Sequence, residues 1–341
     1  MNSRFRVLLW WMSALGALPL VLPGLARAQQ APIVIKFSHV VAPDTPKGKG
    51  ALRFKELVEQ RSAGKVRVEV YPNSQLYKDK EELEALQLGS VQMLAPSLAK
   101  FGPLGIRDFE VFDLPFLFKN TASFRALADG PVGADLLKKL QPKGILGLDF
   151  WDNGATHMSA NKPLRAVADF KGKRMRIQSS KVLDAQMRAL GATPQVMAFS
   201  ELHQALQSGA VDGTESTPSN YYTQRLFEVQ KHITLSGHGH LAYAVIVNKK
   251  FWDGLPTDLR GMLEAAMKEA STFANAIAQS ENEAALAKIL ASGKTTLYTL
   301  SEAEANEWKK ALMPVHKDLQ TRLGPAAVAE VYKAVGFVEP K

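Results

Sequence analysis

The amino-terminal third of the chain alternates between short apolar segments and amphipathic segments, and this order constrains the fold more than any other feature. The pattern predicts strands over 33–38, 66–71 and 91–95, with helices over 47–62 and 80–88 between them. Strands that alternate with helices in this way are typical of a parallel sheet covered by helices on both faces. We therefore expect an α/β fold.

Ligands of such sheets bind beyond the carboxyl ends of the strands. Ser38 and Val40 lie at the end of the first predicted strand, and Ser97 follows the third. We expect these three residues at a ligand site.

The length of the chain, 341 residues, exceeds what one compact core usually holds, which favours two lobes. A strand over 144–151 is predicted to end in a turn at Asp152-Asn153-Gly154, a candidate crossing between lobes. A second α/β unit is predicted from 155 to about 239, and a strand over 242–248 would return to the first lobe.

A helical pattern rich in Ala, Glu, Lys and Leu runs over 256–291. At about 1.5 Å per residue such a helix could reach ~50 Å, enough to extend along both lobes. The alternative is two ordinary helices with a bend near Ser271-Thr272.

The second unit contains a short predicted strand over 174–178 that carries Arg176. A helix capped by Ser200 and ended by Gly209 follows later, and then a short strand at Ala210-Val211 before a turn at Asp212-Gly213. Arginine presents a planar fork that matches a carboxylate, so Arg176 is a candidate anion ligand. The alternative is a surface arginine on an edge strand.

The amino terminus has the three parts of a secretory signal. Arg4 and Arg6 precede an apolar run over 7–22, and Ala26-Arg27-Ala28 supplies a cleavage site between small residues. We predict a cleavable signal peptide over 1–28 and a secreted protein. The alternative is a membrane anchor, but the run is shorter than the ~20 residues that span a bilayer.

Composition and missing motifs exclude several functions. The chain has no cysteine, which rules out a disulfide or a thiolate site. Its net charge of +9 is spread along the chain and includes no run of five basic residues, so we expect no nucleic-acid partner. A mild positive potential would instead help to attract small anions. No signature of a serine hydrolase, a nucleotide-binding loop or a zinc protease is present. We expect no enzymatic activity and no cofactor, with a secreted hydrolase as the alternative.

Taken together, the segments resemble the solute-binding proteins of TRAP (tripartite ATP-independent periplasmic) transporters, the DctP-like family. The matching motifs, in chain order, are Lys36-Phe37-Ser38-His39 with the segment 43–50, Tyr71-Pro72-Asn73-Ser74-Gln75-Leu76, the segment 82–89, Asp113-Leu114-Pro115-Phe116-Leu117-Phe118, Asn161-Lys162-Pro163-Leu164, the segments 169–176 and 197–215, and Glu228-Val229-Gln230-Lys231 with His238. They cover nearly the whole chain after the predicted signal peptide.

The resemblance implies a bilobal periplasmic binding protein, with two α/β lobes, a hinge and a long helix that crosses both lobes. We expect lobe I over 31–153 plus 242–281, and lobe II over 154–241 plus 282–341. Such a protein, a monomer, closes on an organic acid and delivers it to a small and a large membrane subunit of a TRAP permease. Service to a sensor or to another transporter is the alternative.

The resemblance also implies roles for individual residues. Arg176 would form a paired contact with the ligand carboxylate, Phe199 would contact the ligand body, and His238 would donate a hydrogen bond. Core packing is the alternative for Phe199 and His238. Thr156, Gln178 and Ser216 lie at matched ligand positions or at a strand end.

Two departures from the family pattern bear on the ligand. Thr156 stands where many relatives have a second arginine, and Ser216 stands where an amide is common. Because a second buried carboxylate without a cation is costly, these departures predict a monocarboxylate, plausibly a 2-oxo or 2-hydroxy acid. The alternative is that an unmatched cation, such as Lys100 or Arg165, folds into the cleft and binds a second carboxylate.

Overall fold

The structure, a computed structural model, describes residues 31–339. The predicted signal peptide over 1–28 lies outside these residues. Within the described range, no helix combines the length and the apolar character needed to cross a bilayer.

The strands are β1 (Ile33–Ser38), β2 (Val66–Tyr71), β3 (Met93–Leu94), β4 (Ile145–Ala160), β5 (Arg174–Ile177), β6 (Thr193–Val196), β7 (Gly213–Ser216), β8 (His232–Asn248) and β9 (Thr296–Thr299). The α-helices are α1 (Pro46–Arg61), α2 (Glu82–Gln87), α3 (Thr121–Ala128), α4 (Pro131–Lys138), α5 (Lys181–Ala189), α6 (Leu202–Ser208), α7 (Pro218–Thr223), α8 (Lys249–Asp253), α9 (Thr257–Ala291), α10 (Glu302–Leu323) and α11 (Pro325–Val335). Across residues 31–339, the strands form one sheet in the order β2-β1-β3-β8-β4-β7-β5-β6, and β9 pairs with β8.

The sheet is parallel at its two ends and antiparallel in its centre. At one end β1 pairs in parallel with β2 and β3, and at the other β5 pairs in parallel with β6 and β7. These ends belong to the two α/β lobes. The long strands β4 and β8 run antiparallel between them. The prediction of a parallel sheet is therefore right for each lobe and wrong for the connection.

The segment predicted to cross between the lobes is a bulge within a strand. The predicted turn at Asp152-Asn153-Gly154 is wrong, because β4 continues through these residues with a register shift between Asp152 and Gly154. Gly154 has a φ of +90°, which explains why the segment looks like a turn in sequence. The side chain of Asn282 donates to the Asn153 carbonyl at 2.8 Å and holds the bulge against α9.

Helix α9 is continuous, so the alternative of a break near Ser271 is wrong. Ser271 is buried in the helix, where its Oγ accepts a hydrogen bond from Trp151 Nε1 at 2.8 Å. The helix packs on α1, β4 and α7, and a face of buried alanines at Ala266, Ala270 and Ala274 permits close approach. α1 lies within the predicted lobe I and α7 within the predicted lobe II, so contacts with both agree with a helix that extends along two lobes. The exact lobe limits stay a prediction.

Two local predictions near the site are also corrected. Ser200 does not cap α6, because it lies inside a short 3-10 turn over Phe199–Glu201 that leads into the helix. Gly209 ends α6 with a φ of +72°, as predicted. The strand expected at Ala210-Val211 instead forms at β7, where it pairs with β4 and β5.

Candidate ligand site

A partly open cavity lies where the carboxyl ends of β1, β3 and β5 meet the centre of β8. It holds about 430 Å³ of empty space, part of it open to solvent. Seven of the predicted site residues line it, namely Val40, Ser97, Thr156, Arg176, Gln178, Phe199 and Ser216. The other lining residues are Val41, Lys47, Asp79, Lys100, Glu215, Asn220, Leu241 and Tyr243.

Two predicted site residues, Ser38 and His238, do not line the cavity. Ser38 is the last residue of β1 and is fully buried. His238 is also fully buried, with its Nε2 3.0 Å from Glu215 Oε2 and its Nδ1 2.7 Å from Ser236 Oγ. His238 therefore reaches the cavity only through Glu215, a residue to which the sequence analysis gave no role.

Arg176 lies on a central strand, because β5 is flanked by β6 and β7. The surface alternative is wrong, since Arg176 is 4% exposed. Its Nε donates to the Met197 carbonyl at 3.0 Å, and its Cζ lies 5.6 Å from the centroid of the Phe199 ring. Within residues 31–339, its two Nη groups make no hydrogen bond and no salt bridge. Burial lowers the pKa of Arg176, although the charges of Asp79 and Glu215 oppose that effect. The hydrogen bond of Nε to Met197 thus holds the two Nη groups of the guanidinium at the cavity wall.

Lys100 is a second cation of the cavity wall, and its charge is compensated inside the protein. Its Nζ lies 2.8 Å from Asp79 Oδ1 and also contacts Glu82. Burial lowers the pKa of Lys100, but Glu82 and Asp79 outweigh this effect and the pKa is raised overall. Burial likewise raises the pKa of Asp79, but Lys100 and Arg176 hold it below its usual range. The second Asp79 oxygen accepts from the Phe199 amide at 2.8 Å.

Lys47 is the third cation, and it has no acidic partner within 4 Å in the described part of the chain. It is the second residue of α1 and 1% exposed. Its Nζ donates to the Ala95 carbonyl at 3.0 Å and lies 3.7 Å from the centroid of the Tyr243 ring. Burial lowers the pKa of Lys47 to about 7.

Several buried polar atoms of the wall lack a hydrogen-bond partner within residues 31–339. These atoms are Thr156 Oγ1, Asn220 Oδ1 and the Tyr243 hydroxyl. Buried polar groups are nearly always paired in proteins, so this group indicates a surface that is completed by something polar. No cluster of three or more potential metal ligands occurs within the described residues. The chemistry on offer is therefore that of cations, hydroxyls and amides.

The sequence analysis did not assign Lys47 to the site, although a usable signal was present. Thr45 followed by Pro46 marks a helix start, and it comes soon after the carboxyl end of β1. The same rule that selected Ser38 and Val40 could have selected the first turn of α1. Nothing in the sequence indicated that the charge of Lys100 is neutralised by Asp79 and Glu82.

Residues 37–322 match the family model DctP, the bacterial extracellular solute-binding proteins of family 7. The chain belongs to this DctP family. The predicted resemblance is confirmed, and this member of the family is a solute-binding protein.

Relatives and solved structures of the DctP family agree with this assignment. The C4-dicarboxylate-binding periplasmic protein DctP of Rhodobacter capsulatus is 61% identical over 318 residues, which cover 93% of this chain and 94% of the relative. A TRAP periplasmic solute-binding protein of Shewanella oneidensis, solved with bound succinate, has a TM-score of 0.87 and 44% identity, and covers 89% of this chain and 100% of its own. A TRAP protein of Pseudomonas aeruginosa with bound L-malate has a TM-score of 0.82 and 44% identity, over 84% of this chain and 100% of its own. The predicted α/β bilobal fold is confirmed.

Proposed function

We propose that this protein is a periplasmic, non-catalytic binding protein for C4-dicarboxylates that delivers its ligand to the membrane subunits of a TRAP transporter. The observation that carries the proposal is the presence of two buried basic side chains, Arg176 and Lys47, that line one cavity with no acidic group within 4 Å among the described residues. More distant carboxylates, those of Asp79 and Glu215 for Arg176 and those of Glu82 and Asp79 for Lys47, offset their charges in part. An unpaired buried charge is costly, so two such charges favour a ligand with two carboxylates. Relatives named for C4-dicarboxylates support the same class.

This proposal replaces the monocarboxylate predicted from Thr156. That prediction assumed that no second cation lies near Arg176, and the assumption is wrong, because Lys47 and Lys100 both line the cavity. Lys100 is paired with Asp79 and Glu82, whereas Lys47 is not. Thr156 would then donate a hydrogen bond from its hydroxyl to the ligand, and its presence in place of an arginine would not mean that the site lacks a second cation.

The wall also offers contacts for the carbon chain between the carboxylates. Phe199, Val40 and Leu241, which all line the cavity, would pack against it. Ser97 Oγ already bonds to Gln178, so this pair would position the ligand as a unit. Ser216 would contribute a second hydroxyl.

The hydrolase alternative depends on one arrangement, the hydrogen-bonded row of Ser236, His238 and Glu215. A hydrolase needs the serine at the substrate. Here the acid lines the cavity and Ser236 does not. We therefore favour a role in which His238 orients Glu215, and we propose no chemical step for these residues.

Calorimetry of the protein that starts at Gln29 tests the ligand class. Succinate, L-malate and fumarate should bind at least ~30-fold more tightly than butyrate or succinamic acid, because a buried charge pair typically contributes ~2 kcal/mol or more. Succinamic acid is the matched control, since it keeps the size and loses one charge. Butyrate binding as tightly as succinate would contradict the proposal.

Two further measurements separate the alternatives. Mass spectrometry after incubation should recover each ligand unchanged, whereas a converted product would favour a hydrolase. Cells without this chain should lose uptake of labelled succinate and regain it with the wild-type protein. Normal uptake with a lost transcriptional response to succinate would instead indicate service to a sensor.

A further inference from the structure

We propose that the protein has a second binding site, an outer pocket that takes a monocarboxylate with an apolar body and competes with the dicarboxylate for Arg176. The outer pocket is a partly open cavity beside the ligand cavity and holds about 910 Å³ of empty space. Its apolar wall consists of Leu83, Pro103, Leu104, Val196, Met197 and Ala198. A ligand in this pocket would inhibit capture of the dicarboxylate, which is a role beyond the proposed function.

The outer pocket and the ligand cavity share one wall. Asp79, Lys100, Arg176 and Gln178 line both cavities. The other residues of the outer pocket come from two parts of the chain. Residues of the segment 80–87 and residues 103–104 belong to the predicted lobe I, and Ser179 and residues 196–198 belong to the predicted lobe II. An occupant would therefore contact both predicted lobes.

The outer pocket presents apolar surface to solvent. Val196, the last residue of β6, is 47% exposed, and few large apolar side chains within residues 31–339 are exposed to this degree. Leu104 and Met197 are half-buried in the same wall. Apolar surface that is concave and reachable from water is typical of a ligand-binding groove. The apolar body of a ligand would cover this surface.

Arg176 supplies the charge that would hold the carboxylate of such a ligand. Its Nε donates to the carbonyl of Met197, a residue that lines the outer pocket and not the ligand cavity. Its two Nη groups make no hydrogen bond within the described range, and a guanidinium pairs with a carboxylate through two parallel N–H groups. One guanidinium cannot form this paired contact with two carboxylates at once. An acid in the outer pocket and a dicarboxylate in the ligand cavity would therefore compete.

The remaining charges of the outer pocket favour an acid with one carboxylate. Lys100 is already engaged with the carboxylates of Asp79 and Glu82. Lys80 is exposed and makes no salt bridge within residues 31–339, so it adds a weak positive potential at the rim. Glu84 is also exposed at the rim, where water and salt screen its charge. A second carboxylate on the ligand would meet apolar side chains and would be costly to bury.

Calorimetry of the protein that starts at Gln29 tests the ligand class with octanoate, butyrate and octanamide. Octanoate should bind at least ~10-fold more tightly than butyrate, because each buried CH₂ group typically contributes about fourfold in affinity. Octanamide is the matched control, since it keeps the length and loses the charge, and it should bind at least ~10-fold more weakly than octanoate. Saturating succinate should abolish the binding of octanoate.

A substitution in the apolar wall tests the location. Val196→Asp removes apolar surface and adds a charge of the same sign as the ligand, so it should weaken octanoate binding at least ~5-fold. Succinate should bind within a few-fold of wild type, because Val196 lines only the outer pocket. Leu88→Asp is the matched control, because Leu88 is 75% exposed at the end of α2 and lines neither cavity. This control should bind octanoate as the wild type does.

Each outcome decides the inference. Octanoate that binds no more tightly than butyrate would overturn it, and so would octanoate that still binds at saturating succinate. Equal octanoate affinity in wild type and Val196→Asp would place the apolar body beside Phe199 in the ligand cavity and would also overturn it. If Val196→Asp does not fold, Leu104→Asn replaces it with the same expected loss. Wild-type protein that fails to bind succinate would overturn the proposed function, and the octanoate affinities of wild type and variant would still decide the outer pocket.

Discussion

Replacing Arg176 removes the proposed anchor of the first carboxylate. The guanidinium is buried and bonded through Nε to the Met197 carbonyl, so its remaining donors are held in one orientation. In Arg176→Ala, the ligand carboxylate would be buried without a cation, and the Met197 carbonyl would lose its partner. Arg176→Lys would keep the charge but lose both the fork and the bond that orients it.

The expected loss follows from the burial of the pair. Truncating one partner of a buried, hydrogen-bonded charge pair typically costs ~2–5 kcal/mol, which is about 30-fold to several thousand-fold in affinity. Arg176→Lys should fall within this range as well, because ammonium binds a carboxylate as a point charge and not as a fork. We expect the loss to appear in the affinity for succinate and butyrate alike, because both ligands carry the carboxylate that Arg176 would bind.

Calorimetry on folded variants measures the loss directly. The matched control is Arg174→Ala, on the same strand, because Arg174 is exposed and its guanidinium pairs with Asp212 away from the cavity. Circular dichroism and thermal melting should show that the variants fold. Affinity for succinate near that of the wild type in a folded Arg176→Ala protein would remove Arg176 from the site and refute the reasoning.

Three further predictions concern stability and motion. Burial raises the pKa of Asp113 to about 7, so the stability that its protonated form contributes is complete below pH 4 and is lost as the pH rises to 7. Asp113→Asn should therefore match wild type at pH 4 and exceed its stability at pH 8 by up to about 4 kcal/mol in urea unfolding, and an equal gain at both pH values would contradict this cause. Asn282→Ala should lower the free energy of unfolding by ~2–4 kcal/mol, since it leaves the Asn153 carbonyl and the Ser219 amide unpaired, and a loss below ~0.5 kcal/mol would rule out this clamp on the bulge. Saturating succinate should reduce the radius of gyration in small-angle scattering, because a ligand that touches both lobes favours the closed state, and an unchanged radius at verified saturation would count against closure.

Much of the fold follows from local sequence. Residues close together in the chain set three features. These are the alternation of strands and helices at the start of the chain, the helical pattern of α9 and the glycine that ends α6. Hydrophobic periodicity and capping act over a few residues, so they can be recognised without the tertiary structure. The same local rules mistook the Asp152-Asn153-Gly154 bulge for a turn, because a bulge and a turn use the same glycine conformation. Only the pairing of β4 with β8 distinguishes them.

The candidate site divides in the same way. Sequence alone singled out Arg176, because an arginine on a short strand beside other strand ends is a local arrangement that suits a carboxylate. It favoured a monocarboxylate, because it could not count the cations that remain available. Lys100 and Lys47 look alike in sequence, yet Lys100 meets Asp79 and Glu82 in the fold and Lys47 meets a carbonyl and the Tyr243 ring. Whether a buried charge is compensated depends on groups that are distant in the chain, and so only the tertiary structure decides it.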